Sequence, residues 1–321
     1  MKVQKRTSGL YGSLSALLAG ALMLFQAPAA EASFCDFAKN SAQLARTAYN
    51  SSSSDKKKYL PSGFTYVRSF SSTKYSGGDH AYLTTSQVLI PEGKPEPGKK
   101  PAFKKETVCH YTIRGLNTSK LSIKSQVKEI AKMTKQATCY TASKKKIGKC
   151  SERIYNRYTT LRDGLLKSIK LKIKRKKCFL LMIHGHSMGG SIANLLAAEL
   201  YLLDSKQYDT KFMKVHTYGS PRVFGSSDAE TWHKRLNVTR WAYSDKAKVV
   251  KTVYQGDMVT KLPMGAYAHI GQTYMIHRRR YVTKSDTYSY GKKSRQWHPE
   301  HGIGWKHEAS NYTNALNKGC K

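Results

Sequence analysis

Acidic residues are the scarce commodity in this chain. Across 321 residues there are 20 Asp and Glu against 56 Lys and Arg, giving a formal charge of +36 and a pI near 10. An uncompensated field of that size attracts polyanions: nucleic acid, an anionic lipid surface or an acidic polysaccharide. Long apolar runs are scarce too. Beyond residue 25 none reaches eighteen residues, which excludes a multi-span helical membrane protein. No cysteine pair has C-x-x-C spacing, so zinc and thioredoxin-like readings have little to rest on. Internal repeats are absent, which removes the solenoids. What is present is 40% hydrophobic and 11% aromatic residues. That is enough for a full core in one large domain or two small ones.

The beginning of the chain speaks for export. Lys2, Lys5 and Arg6 form a basic start, Leu10 to Phe25 is an apolar stretch, and Ala27-Pro-Ala29 and Ala30-Glu-Ala32 are small-x-small cleavage signals. Residues 1–32 therefore read as a secretory signal peptide, with residues 33–321 as the mature, secreted domain. In a bacterium this would be extracellular or periplasmic. All six cysteines, Cys35, Cys109, Cys139, Cys150, Cys178 and Cys320, fall in the mature part. An even count in an exported chain suggests up to three disulfides, and six cysteines allow 15 connectivities. Cys139–Cys150 would close a Lys-rich loop. Export argues against nucleic acid as the polyanion and leaves an anionic membrane or lipid interface as the expected partner.

Pro91 to Pro101 (PEGKPEPGKKP) is a loop. Ala81 to Ile90 before it is strand-like. After it the pattern turns α/β. Thr107–Ile113 is a short strand ended by Arg114-Gly115, and Ser122–Met133 has a one-sided apolar helical stripe. Ile154, Tyr158, Leu161, Leu165 and Ile169 recur at helical spacing. The end of that helix, Lys167–Lys177, carries seven positive charges in eleven residues. Cys178–Ile183 is a continuous apolar run, as in a strand covered on both faces. Ser191–Leu203 is a helix apolar on most sides. Lys214–Tyr218 and Val249–Tyr254 are two further strands. This rhythm predicts an α/β fold with a mostly parallel central sheet flanked by helices.

The chemistry concentrates at Gly185-His186-Ser187-Met188-Gly189, where the buried strand ends and a helix begins. A nucleophilic serine needs this nucleophile elbow. The tight turn lifts the hydroxyl above the sheet, and the near approach of strand and helix tolerates only glycine two residues to either side. A serine is inert alone. It needs a base, and the base needs an orienting carboxylate, in the chain order Ser, acid, His. Six aspartates follow Ser187. Asp257 stands out because it comes directly after the Val249–Tyr254 strand, where a carboxylate faces the active edge of the sheet. Of the downstream histidines, His298, His301 and His307 are not separable on these grounds. In this fold the amide after the nucleophile, Met188 N–H, supplies one oxyanion-hole donor.

Cys178–Leu196 (CFLLMIHGHSMGGSIANLL), Thr217-Tyr-Gly-Ser-Pro-Arg-Val223 and Asp257-Met-Val-Thr-Lys-Leu-Pro263 together resemble the class 3, or fungal-type, triacylglycerol lipases. Tyr267-Ala-His269 resembles that family's structural histidine. His307-x4-Tyr312-x3-Leu316 resembles its catalytic-histidine segment, and Ile113-Arg-Gly115 its oxyanion loop. The resemblance runs from about Thr107 to the C-terminus. It implies an α/β-hydrolase acting on lipid esters with no metal or cofactor, Ser187, Asp257 and His307 as its triad, and the Leu116 amide as the second oxyanion donor. It also implies a lid over Asn117–Met133 and a disulfide between the terminal segments, Cys35 and Cys320. One departure stands out. Leu116 occupies a position where the family usually has Ser or Thr, so a side-chain hydroxyl is missing beside the oxyanion. With the high charge, this motivates the alternative of a feebly catalytic cationic protein that coats anionic membranes or polysaccharides.

Overall fold

The computed structural model describes residues 27–50, 52–75, 78–92, 102–116, 129, 132–175, 177–208, 211–244, 257–263, 266–277, 282–285 and 309–319. Helices α1 (Ala27–Thr47) and α2 (Ser53–Lys58) precede strands β1 (Thr65–Ser72), β2 (Asp79–Pro91) and β3 (Phe103–Ile113). The hairpin β4 (Gln136–Tyr140) and β5 (Lys146–Ser151) leads into α3 (Glu152–Lys174). At the centre are β6 (Leu180–His186) and α4 (Met188–Leu203). Next come β7 (Met213–Tyr218), β8 (Phe224–Gly225), α5 (Ser226–Arg235) and β9 (Val238–Ser244). β10 (Tyr267–Ala268), β11 (Gln272–His277), β12 (Val282–Ser285) and α6 (Ala309–Gly319) follow.

Eight strands form one sheet in the order β1-β2-β3-β6-β7-β9-β11-β12. From β3 to β11 every pairing is parallel, while β1, β2 and β12 are antiparallel additions at the edges. The mostly parallel sheet and its flanking helices are those expected from the sequence. A small second sheet, β10-β8-β5-β4, sits beside it.

Each face of the main sheet is covered for a reason visible in side chains. On one side α3 buries Ile154, Tyr158, Leu161, Leu165 and Ile169, its expected stripe. Beside it α4 is buried all round from Met188 to Leu200, which is why its sequence is apolar on every side. On the other side α1 lays Ala38, Ala42 and Ala45 against Tyr218, Trp241 and Ile276, together with Tyr312 and Leu316 of α6. Those small side chains let the helix lie close to the sheet, and they are too weakly apolar to mark a helix from sequence alone.

Three boundaries differ from expectation. β3 begins at Phe103, because its first residues pair with β2 before β6 arrives at Val108↔Leu180. β6 begins at Leu180, where its pairing with β3 starts at Val108↔Leu180. α4 begins at Met188, directly after the nucleophile candidate. Strand β9 was not anticipated. Residues 1–26, most of the Pro91–Pro101 loop, nearly all of Asn117–Met133, the expected Val249–Tyr254 strand, His298, His301, His307 and Cys320 lie outside the described residues.

Disulfides Cys139–Cys150, as expected, and Cys109–Cys178 are formed, and no described cysteine is free. The second joins residues 69 apart. Replacing both of its cysteines with serine is expected to cost about 4 kcal/mol through the freedom returned to the unfolded loop. Urea unfolding of that double variant beside the parent checks it, and a midpoint unchanged within error would refute it.

Candidate active site

Ser187 sits between the last residue of β6 and the first of α4 with φ 57° and ψ −136°. A residue with a Cβ enters that region only when its surroundings hold it there. The hold is visible. Ser187 N–H donates to Tyr218 O at 2.8 Å, and Gly190 N–H donates back to Ser187 O at 2.9 Å. A Cβ on Gly185 would meet the backbone of Gly189 and Gly190, and one on Gly189 would meet Ile113 O and, at 2.7 Å, Arg114 C. The glycine pattern thus reflects the contact of three backbones. Ser191 Oγ donates to Pro221 O at 2.7 Å, tying α4 to the Ser-Pro-Arg turn after β7.

The loop after β3 passes directly over the serine. A Cβ on Gly115 would fall 2.6 Å from Ser187 Cβ and 2.7 Å from both His186 O and Tyr49 Oη. Tyr49, just past the end of α1, accepts a backbone hydrogen bond from Gly115, and its hydroxyl lies 2.7 Å from His186 Nδ1. Its side chain is half-buried, and desolvation pushes its phenol well up. No signal in the sequence connects Tyr49 to this loop. Leu116 and Met188 are both buried beside it, and the Leu116 side chain belongs to the main core. That is a packing reason for leucine at this position.

Asp257 is 2% exposed and opens a short 3-10 turn, Met258–Lys261. Its Oδ1 accepts from Val259 N–H at 2.9 Å and its Oδ2 from the Tyr312 hydroxyl at 2.5 Å. Tyr312, on α6, lies with its ring 5.8 Å from that of His186, the neighbour of Ser187. Serine and carboxylate are thereby drawn to the same end of the sheet. Arg240 of β9 is buried nearby and donates to Thr273 Oγ1 at 2.9 Å. Burial lowers its guanidinium to about 10, opposed by Tyr312 and Asp257. His269 Nε2 donates to Thr260 O at 2.5 Å, and burial together with Arg240 and Arg222 keeps it neutral. The imidazole thus braces the turn that begins at Asp257. Arg222 stands beside the same turn through its backbone N–H to Leu262 O.

Across β3, β6 and β7 runs a row of histidines that sequence inspection did not single out. His184 has Nδ1 2.5 Å from Ser41 Oγ of α1 and Nε2 3.0 Å from His110 Nδ1 of β3. His110 Nε2 is 2.9 Å from Ser86 Oγ of β2. His216 of β7 stands opposite His184 in the register and packs edge-on to Phe37, with centroids 4.6 Å apart. Burial lowers His110 to about 3. Burial, with Lys214 and His110, lowers His216 likewise to about 3. Burial and its two histidine neighbours hold His184 well below the usual range. All three are uncharged. Among the described residues no group of His, Cys, Asp or Glu is arranged to hold a metal ion, and no helix is long and apolar enough to cross a membrane.

Known proteins are similar in sequence and in shape. The family model for lipase (class 3) matches residues 111–267. Secreted mono- and diacylglycerol lipase A of Penicillium cyclopium is 27% identical over 124 residues, covering 38% of this chain and 35% of the relative. Its counterpart from Penicillium camembertii gives the same figures. The match thus spans about a third of the length of these relatives. Among solved structures, lipase II from Rhizopus niveus superposes with a TM-score of 0.54 at 16% identity, over 76% of this chain and 81% of that one. The Rhizomucor miehei lipase propeptide complex gives 0.54 at 16%, over 79% and 72%. At such identities the likeness is one of fold. The strand–elbow–helix, the Ser-Pro-Arg turn and the Asp257 segment all lie in the matched stretch, so over residues 111–267 the chain is similar to the class 3 lipases, and its fold is that of an α/β-hydrolase.

Proposed function

We propose that the chain is a secreted serine hydrolase that cleaves carboxylic esters of lipids through Ser187, His307 and Asp257. The observation that carries this reading is Ser187 itself: a non-glycine residue held at φ 57° at the end of a buried parallel strand, with a glycine loop folded over it. Ser187 Oγ attacks the ester carbonyl and passes its proton to His307. The Met188 and Leu116 amides donate to the oxyanion. Collapse of the tetrahedral intermediate expels the alcohol, which takes the proton from His307. Water then attacks the acyl-enzyme by the same route in reverse. Asp257, fixed by Val259 N–H and Tyr312, orients the imidazole. No metal or cofactor enters. The disulfides and the secreted Penicillium relatives support export. Those relatives also put mono- and diacylglycerols first in a substrate panel, ahead of triacylglycerols and phospholipids. A fluorophosphonate that labels the parent but not Ser187→Ala, with glyceride turnover by the parent alone, tests the reading.

Tyr312→Phe keeps the ring against His186 and deletes one donor to the Asp257 carboxylate. A hydrogen bond to a charged group contributes about 1.5–3 kcal/mol, so kcat is expected to fall by about ten- to a hundredfold, with KM little changed. Steady-state kinetics on a soluble ester read this. A loss confined to KM would mean that Tyr312 shapes the binding cleft instead.

A further inference from the structure

The pole of the sheet opposite Ser187 carries a surface that the hydrolytic site does not use. β6 starts at this pole with Leu180 and reaches His186 six residues later. At about 3.3 Å per residue, roughly 20 Å separate the two ends. The C-terminal turn of α3 ends here, with Lys170, Lys174, Arg175 and Lys177 exposed to solvent. From Gly164 to Ala198 the chain contains no Asp or Glu. The cations crowd one another: Lys172 is held below its usual range by burial, with Lys177 and Arg175 adding to it.

Apolar side chains stand exposed among these cations. Leu171 and Phe179 are 43% and 45% exposed. Phe179 N–H donates to Thr107 O at 2.7 Å, and the Cys109–Cys178 disulfide fastens the same junction to β3. Alternation along β3 puts Phe103 and Lys105 on the face of Cys109 and Tyr111. That face meets Cys178 and, in α3, Ser168. Leu89 pairs with Lys105 across the ribbon. Phe103 and Leu89, 54% and 62% exposed, therefore continue the α3 side of the sheet past the end of that helix. Four of the seven large hydrophobic residues exposed among the described residues gather at this pole, which a scattered surface would not produce. The nearby Glu106 is on the other face of the ribbon, paired with Lys104 at 2.9 Å.

The geometry points to a docking site for an anionic lipid bilayer at this pole, with the cations against the headgroups, the apolar side chains in the acyl boundary and Ser187 turned away from that membrane. Cations alone would suit any polyanion. Exposed Leu and Phe among them fit a lipid surface, where the apolar part enters and the charge stays at the headgroups. The proposal adds to the lipid-esterase reading by separating the surface that holds the protein from the ester it cleaves.

Vesicle sedimentation of Ser187→Ala protein tests docking without involving hydrolysis, so its failure and failure of the esterase reading are distinguishable. Binding to phosphatidylcholine vesicles that contain phosphatidylserine, and little binding to phosphatidylcholine alone, is expected. Lys174→Glu with Lys177→Glu should weaken it by at least about twentyfold, since each basic residue near such a surface contributes about a factor of five. Lys57→Glu with Lys58→Glu makes the same charge change on α2, at the Arg114 end of the sheet, and should leave binding unchanged. Phe179→Ser should weaken vesicle binding while leaving dextran sulfate binding as it was. Equal losses from the two double variants would overturn the site in favour of diffuse charge. An unaffected Phe179→Ser would overturn the bilayer in favour of a soluble polyanion. With active enzyme and an ester lipid in the same vesicle, adding phosphatidylserine should raise binding while total hydrolysis does not rise, so that hydrolysis per bound protein falls. Hydrolysis rising in step with binding would overturn the orientation.

Discussion

Ser187→Ala lowers kcat on a short-chain nitrophenyl ester by about four to six orders of magnitude, the scale seen when a triad member acting as part of a unit is lost, and leaves thermal unfolding nearly unchanged. The elbow is held by Ser187 N–H, Ser187 O and the glycine contacts around it, all of which alanine keeps. Ser187→Gly separates strain from chemistry. It is equally inactive, yet it relieves a positive-φ conformation that costs a non-glycine residue about 1–3 kcal/mol. Set against the extra freedom glycine gives the unfolded chain, a net gain of about 1 kcal/mol in stability is expected. Retention of more than about a hundredth of the parent rate by Ser187→Ala in a clean preparation would remove Ser187 as nucleophile.

Mild acid is expected to unfold this protein well before its carboxylates protonate. His110, His184 and His216 are held neutral in the folded state, His110 and His216 at about 3 and His184 well below the usual range. In the unfolded chain each protonates near 6.5. A depressed folded value means that the unfolded state binds more protons, so the contribution is fully present above about pH 7 and is lost as pH falls from about 6.5 toward 3. Each histidine contributes a slope of up to about 1.4 kcal/mol per pH unit, so three give about 4. By pH 5 the loss is about 6 kcal/mol, comparable with the whole stability of an ordinary domain. Ser41, Ser86, Phe37 and Phe64 contact the row, Lys214 acts on it as a further cation, and Asp36 lines the same cavity as His110 and His216. Denaturant midpoints at pH 7.5, 6 and 5 measure the slope, and His110→Gln should flatten it by about a third. A midpoint constant across that window would show that the row takes up protons without unfolding.

What the sequence made legible follows from how local the signals are. The buried strand, the elbow and α4 could be read because a continuous apolar run, two glycines and an all-round apolar helix are contiguous. Asp257 could be singled out, but by reference to a strand at Val249–Tyr254 that lies outside the described residues. The strand the structure does show, β9, reads Val-Thr-Arg-Trp-Ala-Tyr-Ser and hid itself by burying an arginine, Arg240, in place of an aliphatic residue. Tyr49 and the histidine row were invisible for another reason. Each owes its role to partners far away in the chain, 66 residues for Tyr49 and Gly115, and 74 for His110 and His184. A lone histidine in a strand carries no mark of such company. Leu116 was legible as an anomaly and became intelligible only as a core residue.

The pairing of α1 with α6 sets a clock on synthesis. The Thr313 hydroxyl reaches Ala42 O across 271 positions of chain, and α6 delivers Tyr312 to the Asp257 carboxylate. A ribosome that has translated Ser187 and Asp257 has therefore not yet made the helix that holds the acid in place. Nor can α1 complete its apolar seat beforehand, since Tyr312 and Leu316 form part of it. Contacts this distant in sequence close late. The helix that fixes the Asp257 carboxylate is thus translated after both Ser187 and Asp257, and its docking on α1 closes the sheet's second face last.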